Sequence, residues 1–350
     1  MENVRISGLE ELQAHLQELV NDSTLPFNEK LFDDVELQLT EDNIPLLLPS
    51  FLPPLTTILK STTQDPTPCL TLTIKLLSPL PLARTLTIAD PPSLITALQS
   101  PLPGANQLAL AILHKGAATP SDAAILSTLP DVIEGLVEAW LSTDNVSVAE
   151  KAAKVLGDLL EVDCDVVAPP PQPLATSTDS TTQELVRRRR TPGHARLWNL
   201  IFGTRPILSL VPEYCSPSDE RTIRQVTLSQ GRLLRLLPRL ATLKLAPLIA
   251  KSAPDLFAGE SLLYWASLKM IDYNDVLVHL NLVDFFETLV SVMRVAETRS
   301  SIVDEQLGAL IRTAAKEDTV LRDALRGLPD RTIEEEAEPL REYITKLLQG

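Results

Sequence analysis

Apolar positions recur every three or four residues along much of the chain, which is the spacing that places side chains on one face of an α-helix. The clearest example lies at residues 148–162, where one continuous apolar stripe is followed by a Pro-rich stretch. The stripe consists of Val148, Ala152, Val155, Leu156, Leu159 and Leu160. A helix with such a stripe needs partner helices to cover it.

The polar positions of this segment predict how the helix begins and packs. Asn145 is placed to cap its first turn, with Ser147 as an alternative. Glu150 and Lys154 stand four residues apart in the favourable order for an ion pair. Gly157 lies at the edge of the stripe, where a glycine costs about 1 kcal/mol relative to alanine. We therefore expect another helix to pack closely against Gly157.

The same spacing predicts helices along the whole chain. The motif Ser7-Gly8-Leu9-Glu10 is a capping box that opens a helix ending near Val20. The sequence LTLTIKL at residues 70–76 alternates like a strand, but no second run of this kind could pair with it, so a helix is predicted there. The other predicted segments are 28–39, 44–60 (kinked or split by proline), 66–78, 92–99, 104–115, 120–128, 130–142, 145–162, 194–202, 206–215, 218–240, 245–252, 260–271, 274–297, 301–315, 317–327 and 332–348.

Short helices with short connections favour an all-α fold, specifically a curved α-solenoid of HEAT-like or armadillo-like helix pairs that recur at about 40–47 residues. The repeats are not similar in sequence, so this prediction depends on their rhythm. An irregular all-α globule is the alternative.

One segment interrupts the helical pattern. Pro169–Pro171 favour extended backbone, and the following LATSTDSTTQ has too few apolar residues to fold. We expect residues 165–193 to be a disordered insertion that loops out between repeats. The predicted organisation is therefore N-terminal acidic repeats at 1–164, the insertion at 165–193, and C-terminal repeats at 194–350.

Charge is distributed unevenly along the chain. The net charge is −15 over 350 residues, and residues 1–168 hold 8 Lys and Arg against 23 Asp and Glu, so the first half carries all of the excess. Nucleic-acid phosphates repel an acidic chain, so direct nucleic-acid binding is not expected. The acidic half could attract a basic protein surface instead.

Motifs of catalysis or metal binding are missing from the sequence. The four histidines are scattered, and no GxSxG, GxGxxG or GxxxxGK[ST] motif is present. Asp163-Cys164-Asp165 could form a metal corner, but a polar helix end is the simpler interpretation. We expect a non-enzymatic, monomeric protein without cofactor or metal. The polar N-terminus and the short apolar runs predict neither a secretory signal nor a membrane span, and three widely spaced cysteines indicate a reducing compartment, the cytosol or the nucleus.

Two groups of arginines are candidate binding residues. The first is the run Arg187, Arg188, Arg189 and Arg190, which could be a nuclear-import signal, a phosphate-binding patch or a solubilising run of charge. The second group, named here the arginine ridge, falls within about 80° around one predicted helix, opposite an apolar side that includes Ile223. Pro238 should kink or end that helix. The ridge could bind an acidic partner or pair with acids of neighbouring repeats. Its members are Arg221, Arg224, Arg232, Arg235 and Arg239.

Part of the chain resembles a known family. The segment VAEKAAKVLGDLLEVDC, the tract LWNLIFGTRPILSLV and the helix ending SQGRLLRLLPRL resemble the HEAT-like assembly chaperones of the proteasome regulatory particle, the non-ATPase subunit 5 family, whose fungal member was named as a DNA mismatch-repair protein. Trp198, Phe202, Arg205 and Ile207 match the family's Trp-containing segment, whereas Gly203-Thr204 replaces expected acidic residues. The match is close only over residues 146–240.

The resemblance implies a C-shaped solenoid that holds the C-terminal domain of one proteasomal ATPase subunit while the base of the regulatory particle assembles. It also implies that the chaperone blocks premature docking on the core particle and then leaves. It supplies no catalytic residue and does not itself identify the arginine ridge as a contact. A nuclear α-solenoid scaffold or adaptor, related to mismatch repair or transport, is the alternative function.

Overall fold

The computed structural model describes residues 6–62, 64–166 and 192–349. These residues form α-helices and two short 3₁₀ turns and contain no strand, which confirms the all-α prediction. The helices are α1 (Leu9–Asn21), α2 (Glu29–Glu36), α3 (Ile44–Ser61), α4 (Thr67–Leu77), α5 (Leu82–Thr85), α6 (Pro91–Leu98), α7 (Pro103–His114), α8 (Pro120–Leu126), α9 (Pro130–Ser142), α10 (Val146–Val162), α11 (Arg196–Gly203), α12 (Arg205–Cys215), α13 (Ile223–Leu243), α14 (Leu245–Ile249), α15 (Leu262–Leu268), α16 (Val276–Val295), α17 (Ser301–Glu317), α18 (Thr319–Gly327) and α19 (Glu334–Gln349).

The segment with strand-like alternation is helical, as predicted. It forms most of α4, in which Leu70, Leu72, Thr73, Leu76 and Leu77 are all buried. A helix that is covered on most sides has no polar face. The alternation of apolar and polar residues along α4 therefore does not distinguish a helix from a strand.

The capping box predicted at residues 7–10 is wrong. Gly8 caps α1 with a positive φ of 79°, and no side chain accepts a hydrogen bond there. The backbone N–H of Ser7 donates instead to the side-chain oxygen of Gln38, at 2.8 Å. The glycine supplies the left-handed conformation that brings the chain into the helix.

Proline ends neither of the two helices in which it was expected to act as a breaker. α3 continues through Pro49, Pro53 and Pro54 as one helix, and α13 continues through Pro238 to Leu243. Of the two effects predicted for Pro238, a kink or an end of the helix, the end is therefore wrong. Leu328 connects α18 to a 3₁₀ turn, Pro329–Arg331, and a second such turn lies at Lys115–Ala117.

The chain divides into two compact units, Met1–Gly116 and Ala117–Gly350. Helices α8 to α10 thus pack with the C-terminal helices, whereas the sequence predicted that the division between the two sets of repeats lies at 165–193. Of that predicted insertion, residues 167–191 lie outside the described part of the chain.

In unit 1, α3 packs against α1 and α4, and α4 packs against α2 and α7. Their apolar faces form one core around Phe32, Phe51 and Leu55. Aromatic edges meet there, since the rings of Phe27 and Phe32 are 6.1 Å apart and nearly perpendicular.

Unit 2 is built on a layer of parallel helices, α10, α13, α16 and α19. Contacts from α10 to α13 advance along both helices together: Glu150 pairs with Arg235, Asp158 with Arg239, and Asp165 with Lys244 beyond the helix end. The remaining members of the layer follow the same direction. A second set of helices backs this layer, with α9 against α10, α12 against α13, and α17 against α19. This is the stacked-pair arrangement of an α-solenoid.

The repeat is longer than predicted. Helices α13, α16 and α19 begin at residues 223, 276 and 334, which are 53 and 58 residues apart, whereas about 40–47 was expected. The added length comes from the short helices α14 and α18 and from the connection at 250–261.

Candidate interaction surface

The arginine ridge begins outside its helix. Thr222 caps α13, and its hydroxyl and the side chain of Gln225 form a reciprocal capping box. The predicted helix start at residue 218 is therefore too early. Ile223, expected on the apolar side, is 81% exposed in the first turn. Arg221 precedes the cap, where its guanidinium binds Glu213 at 2.8 Å and lies 4.3 Å above the ring of Tyr214.

Arg232 caps the neighbouring helix α9. Its guanidinium donates to the backbone carbonyl oxygens of Trp140, Leu141 and Thr143 at 3.3, 2.8 and 2.6 Å. These carbonyls belong to the last turn of α9 and its C-cap, which have no amide donors of their own. Burial lowers the pKa of Arg232, but an arginine remains protonated and complements the negative end of the helix dipole.

Arg235 and Arg239 connect α13 to α10. Arg239 donates to Asp158 at 2.6 Å and to Glu161 at 2.7 Å. Burial opposes the charge of Arg239, but the hydrogen bonds that it donates to these two carboxylates outweigh this effect and raise its pKa. Arg235 pairs with Glu150 at the surface.

The ion pair predicted within α10 does not form. Lys154 pairs with Asp158 at 2.7 Å, one turn further on, while Glu150 turns to Arg235. The close approach predicted at Gly157 is present. A Cβ built on Gly157 would lie 2.3 Å from Nη1 of Arg239, so the glycine accommodates a side chain of α13.

Arg224 differs from the other four members of the ridge. It is exposed, and it forms no ion pair or side-chain hydrogen bond with any described residue. Four of the five predicted partner-binding arginines thus have contacts within the chain, and Arg224 is available to bind another molecule. Whether any of them contacts a partner stays a prediction.

Exposed apolar side chains also lie at the start of α16. They are Val276 (69% exposed), Leu277 (75%) and Leu280 (52%), spaced to share one side of the helix, and Tyr273 (42%) just before it. Together with Ile223 and Arg224 we name this surface the α13–α16 rim.

Contacts between the two helices place the members of the rim at one end of the layer. Gly231 of α13 faces Asn281 of α16, and the carbonyl of Thr242 accepts from Thr298 at 2.8 Å. The helices are therefore parallel. Leu277 lies one turn before Asn281, and Arg224 lies two turns before Gly231, so both residues lie toward the same helix ends.

α16 is a long and apolar helix. Among the described residues, it is the one helix long and apolar enough to cross a bilayer, with 44% of that window buried inside the structure. A core helix meets the same criteria. Sequence reasoning missed the rim because the first turns of α16 are apolar at exposed and buried positions alike, whereas polar Asn281, Asp284 and Thr288 mark the exposed side only further along the helix.

The tract that resembles the chaperone family is structural. Trp198 is buried, its indole N–H donates to the carbonyl of Leu160 at 2.8 Å, and its ring packs 5.3 Å from that of Phe202. Ile207 is also buried, and exposed Arg205 pairs with Asp255. These contacts join α10 to α11 across the segment 167–191.

Asp163 holds this junction as well. Its buried carboxylate accepts from the backbone N–H groups of Leu197 and Trp198, at 2.7 and 3.2 Å. Burial raises its pKa, and these hydrogen bonds moderate the effect. In the described part of the chain no group of three His, Cys, Asp or Glu side chains could hold a metal, so the cluster 163–165 is a helix end.

A pocket inside unit 2 is apolar. It lies among α9 to α13 and is lined by side chains such as Trp140, Phe202 and Leu237. It offers no polar group to orient a substrate. The basic run at 187–190 lies outside the described residues. No protein-family model matches this chain, and no curated protein is significantly similar to it.

Proposed function

We propose that this chain is a non-enzymatic α-solenoid that acts as an assembly chaperone for the base of the proteasome regulatory particle, by binding the C-terminal domain of one proteasomal ATPase subunit. The observation that carries its protein-binding role is the α13–α16 rim, where Arg224 stands beside exposed apolar side chains. A cationic group next to an apolar patch is typical of protein interfaces, in which arginine and tyrosine are enriched.

The choice of partner depends on the resemblance of residues 146–240 to the chaperone family. The corresponding helices α10 to α13 are packed as one block, through Trp198, Asp163 and Arg239. This block supports the rim, and a rigid support favours a preformed binding surface. In this proposal the protein acts in the cytosol or the nucleus, as a monomer, and needs no cofactor.

Co-purification with isolated C-terminal domains of the proteasomal ATPase subunits tests the proposal. One domain should bind the full chain, and the pair Arg224→Glu with Leu277→Asp should abolish that binding while circular dichroism and melting stay near wild type. Arg326 and Ile302 are also exposed, so Arg326→Glu with Ile302→Asp is the matched control. The proposal is wrong if no ATPase domain binds, or if both double variants bind equally well.

The alternative, a nuclear scaffold or adaptor, is supported by the sequence of Arg187–Arg190 alone. It predicts nuclear accumulation that depends on these arginines and capture of repair proteins or transport cargo instead of ATPase subunits. Replacing the four arginines by serine and imaging the chain in cells separates the two hypotheses.

A further inference from the structure

One side of α3 is apolar and exposed. Its opposite side, with Phe51, Leu55 and Ile58, is buried in the core of unit 1. The helix therefore exposes apolar side chains over its first half, whereas its second half also exposes Thr57 and Lys60. The exposed apolar residues are Pro45, Leu46, Pro49 and Pro53, with Leu46 73% exposed.

The prolines of α3 also leave hydrogen-bond acceptors on this side. Pro49, Pro53 and Pro54 have no N–H, so the carbonyl oxygens four residues earlier, at Pro45, Pro49 and Ser50, cannot receive the usual helical amide. All three of these residues are exposed. Three exposed residues of α3 thus have carbonyl oxygens that lack the amide donor a regular helix supplies.

A second exposed leucine adjoins the exposed side of α3. Leu37, at the end of α2, is 85% exposed. The turn between α2 and α3 is closed by Asn43, which donates to the carbonyl of Gln38 at 2.9 Å and accepts from the N–H of Thr40 at 2.8 Å. This turn keeps the end of α2, with Leu37, close to the start of α3, with Leu46.

Acidic side chains surround these leucines. Residues 29–46 contain six carboxylates and one base, Lys30. In the described part of the chain none of the six takes part in an ion pair. The surface therefore combines apolar side chains with negative charge and free acceptors. The carboxylates belong to Glu29, Asp33, Asp34, Glu36, Glu41 and Asp42.

We propose that this surface, the α2–α3 face, binds a basic amphipathic helix of a partner protein. Apolar side chains of the helix would pack on Leu37 and Leu46, while its Lys and Arg side chains donate to the carboxylates and to the carbonyls left open by proline. Charge complementarity favours a basic helix over other binding partners. An acidic helix, a nucleic acid or a second copy of this chain, whose net charge is −15, would meet repulsion here. The proposal goes beyond the proposed function, and it can fail or succeed whether or not an ATPase subunit binds the rim.

Fluorescence anisotropy with a designed probe tests the proposal on the full chain at physiological salt. The probe is a labelled amphipathic helix of about 18 residues, five turns, built from Leu and Lys, and its counterpart has Glu in place of every Lys. The basic probe should bind at least about tenfold more tightly than the acidic one. Equal affinity for the two probes would overturn the charge complementarity.

Two pairs of variants separate the α2–α3 face from general attraction to an acidic protein. Leu37→Ser with Leu46→Ser should weaken binding of the basic probe about tenfold, whereas Val295→Ser with Ile302→Ser, at exposed positions of unit 2, should not. Tenfold corresponds to about 1.4 kcal/mol. Equal effects of the two pairs would place the binding elsewhere.

The second comparison addresses charge alone. Glu41→Lys with Asp42→Lys changes the net charge of −15 by four units, and so does Asp323→Lys with Glu342→Lys at exposed sites of unit 2. The first pair should abolish binding of the basic probe and the second should leave most of it. Equal losses would show that the probe senses only the net charge, and the proposal would be wrong.

Discussion

The guanidinium of Arg239 lies directly on Gly157, so that a Cβ at Gly157 would be 2.3 Å from Nη1 and 2.9 Å from Cζ of the arginine. Any larger side chain must displace Arg239 from Asp158 and Glu161, which it binds at 2.6 and 2.7 Å. The contact therefore couples the packing of α10 against α13 to an ion-pair network.

We predict that Gly157→Leu lowers the free energy of unfolding by about 1–3 kcal/mol, because it overpacks this contact. Gly157→Ala should cost less, since the gain in helix propensity, about 1 kcal/mol, opposes the displacement of the arginine. Urea denaturation midpoints of the variants measure both effects.

Whether Gly157→Ala raises or lowers the free energy of unfolding depends on the presence of Arg239. In an Arg239→Ala chain the obstructing side chain is gone, and Gly157→Ala should then stabilise the protein by about 1 kcal/mol. A double-mutant cycle over the two positions measures this coupling. If Gly157→Ala has the same effect in both backgrounds, the contact with Arg239 does not constrain the glycine.

The members of the arginine ridge should differ sharply in their contribution to folding. Arg232→Met removes a donor from three carbonyls at the end of α9. That of Leu141 still accepts from the Ser229 hydroxyl at 2.8 Å, so the cost of about 1–3 kcal/mol comes from the other two acceptors, which lose this partner. Arg224→Met is the matched control, since Arg224 is exposed on the same helix, and should change stability by less than about 0.5 kcal/mol. Comparable losses in the two variants would contradict the structural roles assigned to them.

Asp304 should make stability depend on acid pH. It is buried between α17 and α19, where it accepts from Arg299, from Lys346 at 2.8 Å and from the Tyr343 hydroxyl at 3.0 Å. Burial alone would raise its pKa, but hydrogen bonds from these three groups outweigh it and hold the pKa below its ordinary value of 3.8.

A carboxyl whose pKa is lowered by folding stabilises the protein above its unfolded pKa and loses this contribution as the pH falls through the folded value. Unfolding free energy should therefore decrease as the pH falls below about 4, and Asp304→Asn should make that decrease shallower while lowering stability at neutral pH. Denaturation curves at several pH values measure both. Parallel pH profiles for wild type and variant would show that Asp304 does not contribute.

The sequence predicts most of the helices correctly because each exposes one polar side and buries one apolar side, as α10 does. Prediction from the sequence fails where the contrast between the polar and apolar sides of a helix is weak, or where the contacting residue is distant in sequence. The short helix Leu82–Thr85 was not predicted, since one turn holds no period. Pro238 was expected to kink or end α13, yet the helix continues to Leu243, with Leu236, Leu237 and Leu240 packed in the core.

The candidate surfaces are harder to predict than the fold. The spacing of the ridge correctly places Arg232, Arg235 and Arg239 toward one side of α13, but their acceptors come from α9 and α10, more than 75 residues away in sequence. No periodicity gives the register between such distant helices. The exposure of Leu277 and Leu280 was likewise not predicted, because the first turns of α16 are apolar at both exposed and buried positions.

The two ends of the segment 167–191 are joined by direct contacts. The N–H of Gly193 donates to the carbonyl of Cys164 at 2.8 Å, and the N–H of Ala195 donates to the carbonyl of Asp163 at 2.8 Å. We predict that replacing residues 167–191 by a four-residue Gly-Ser linker lowers the melting temperature by less than about 5 °C, because the contacts made by Asp163, Cys164, Gly193 and Ala195 join α10 to α11 without the replaced segment. A control variant tests the junction itself. A Cβ at Gly193 would lie 2.1 Å from the carbonyl carbon of Asp163. Backbone atoms cannot move aside as the end of a side chain can, so Gly193→Ala should destabilise both the full and the shortened chain, by about 1–3 kcal/mol.

Differential scanning calorimetry of the full and the shortened chain, each with and without Gly193→Ala, measures both effects. A large loss on shortening alone would show that the segment itself supports the fold, and a neutral Gly193→Ala would show that the junction between Asp163 and Gly193 is looser than these contacts require.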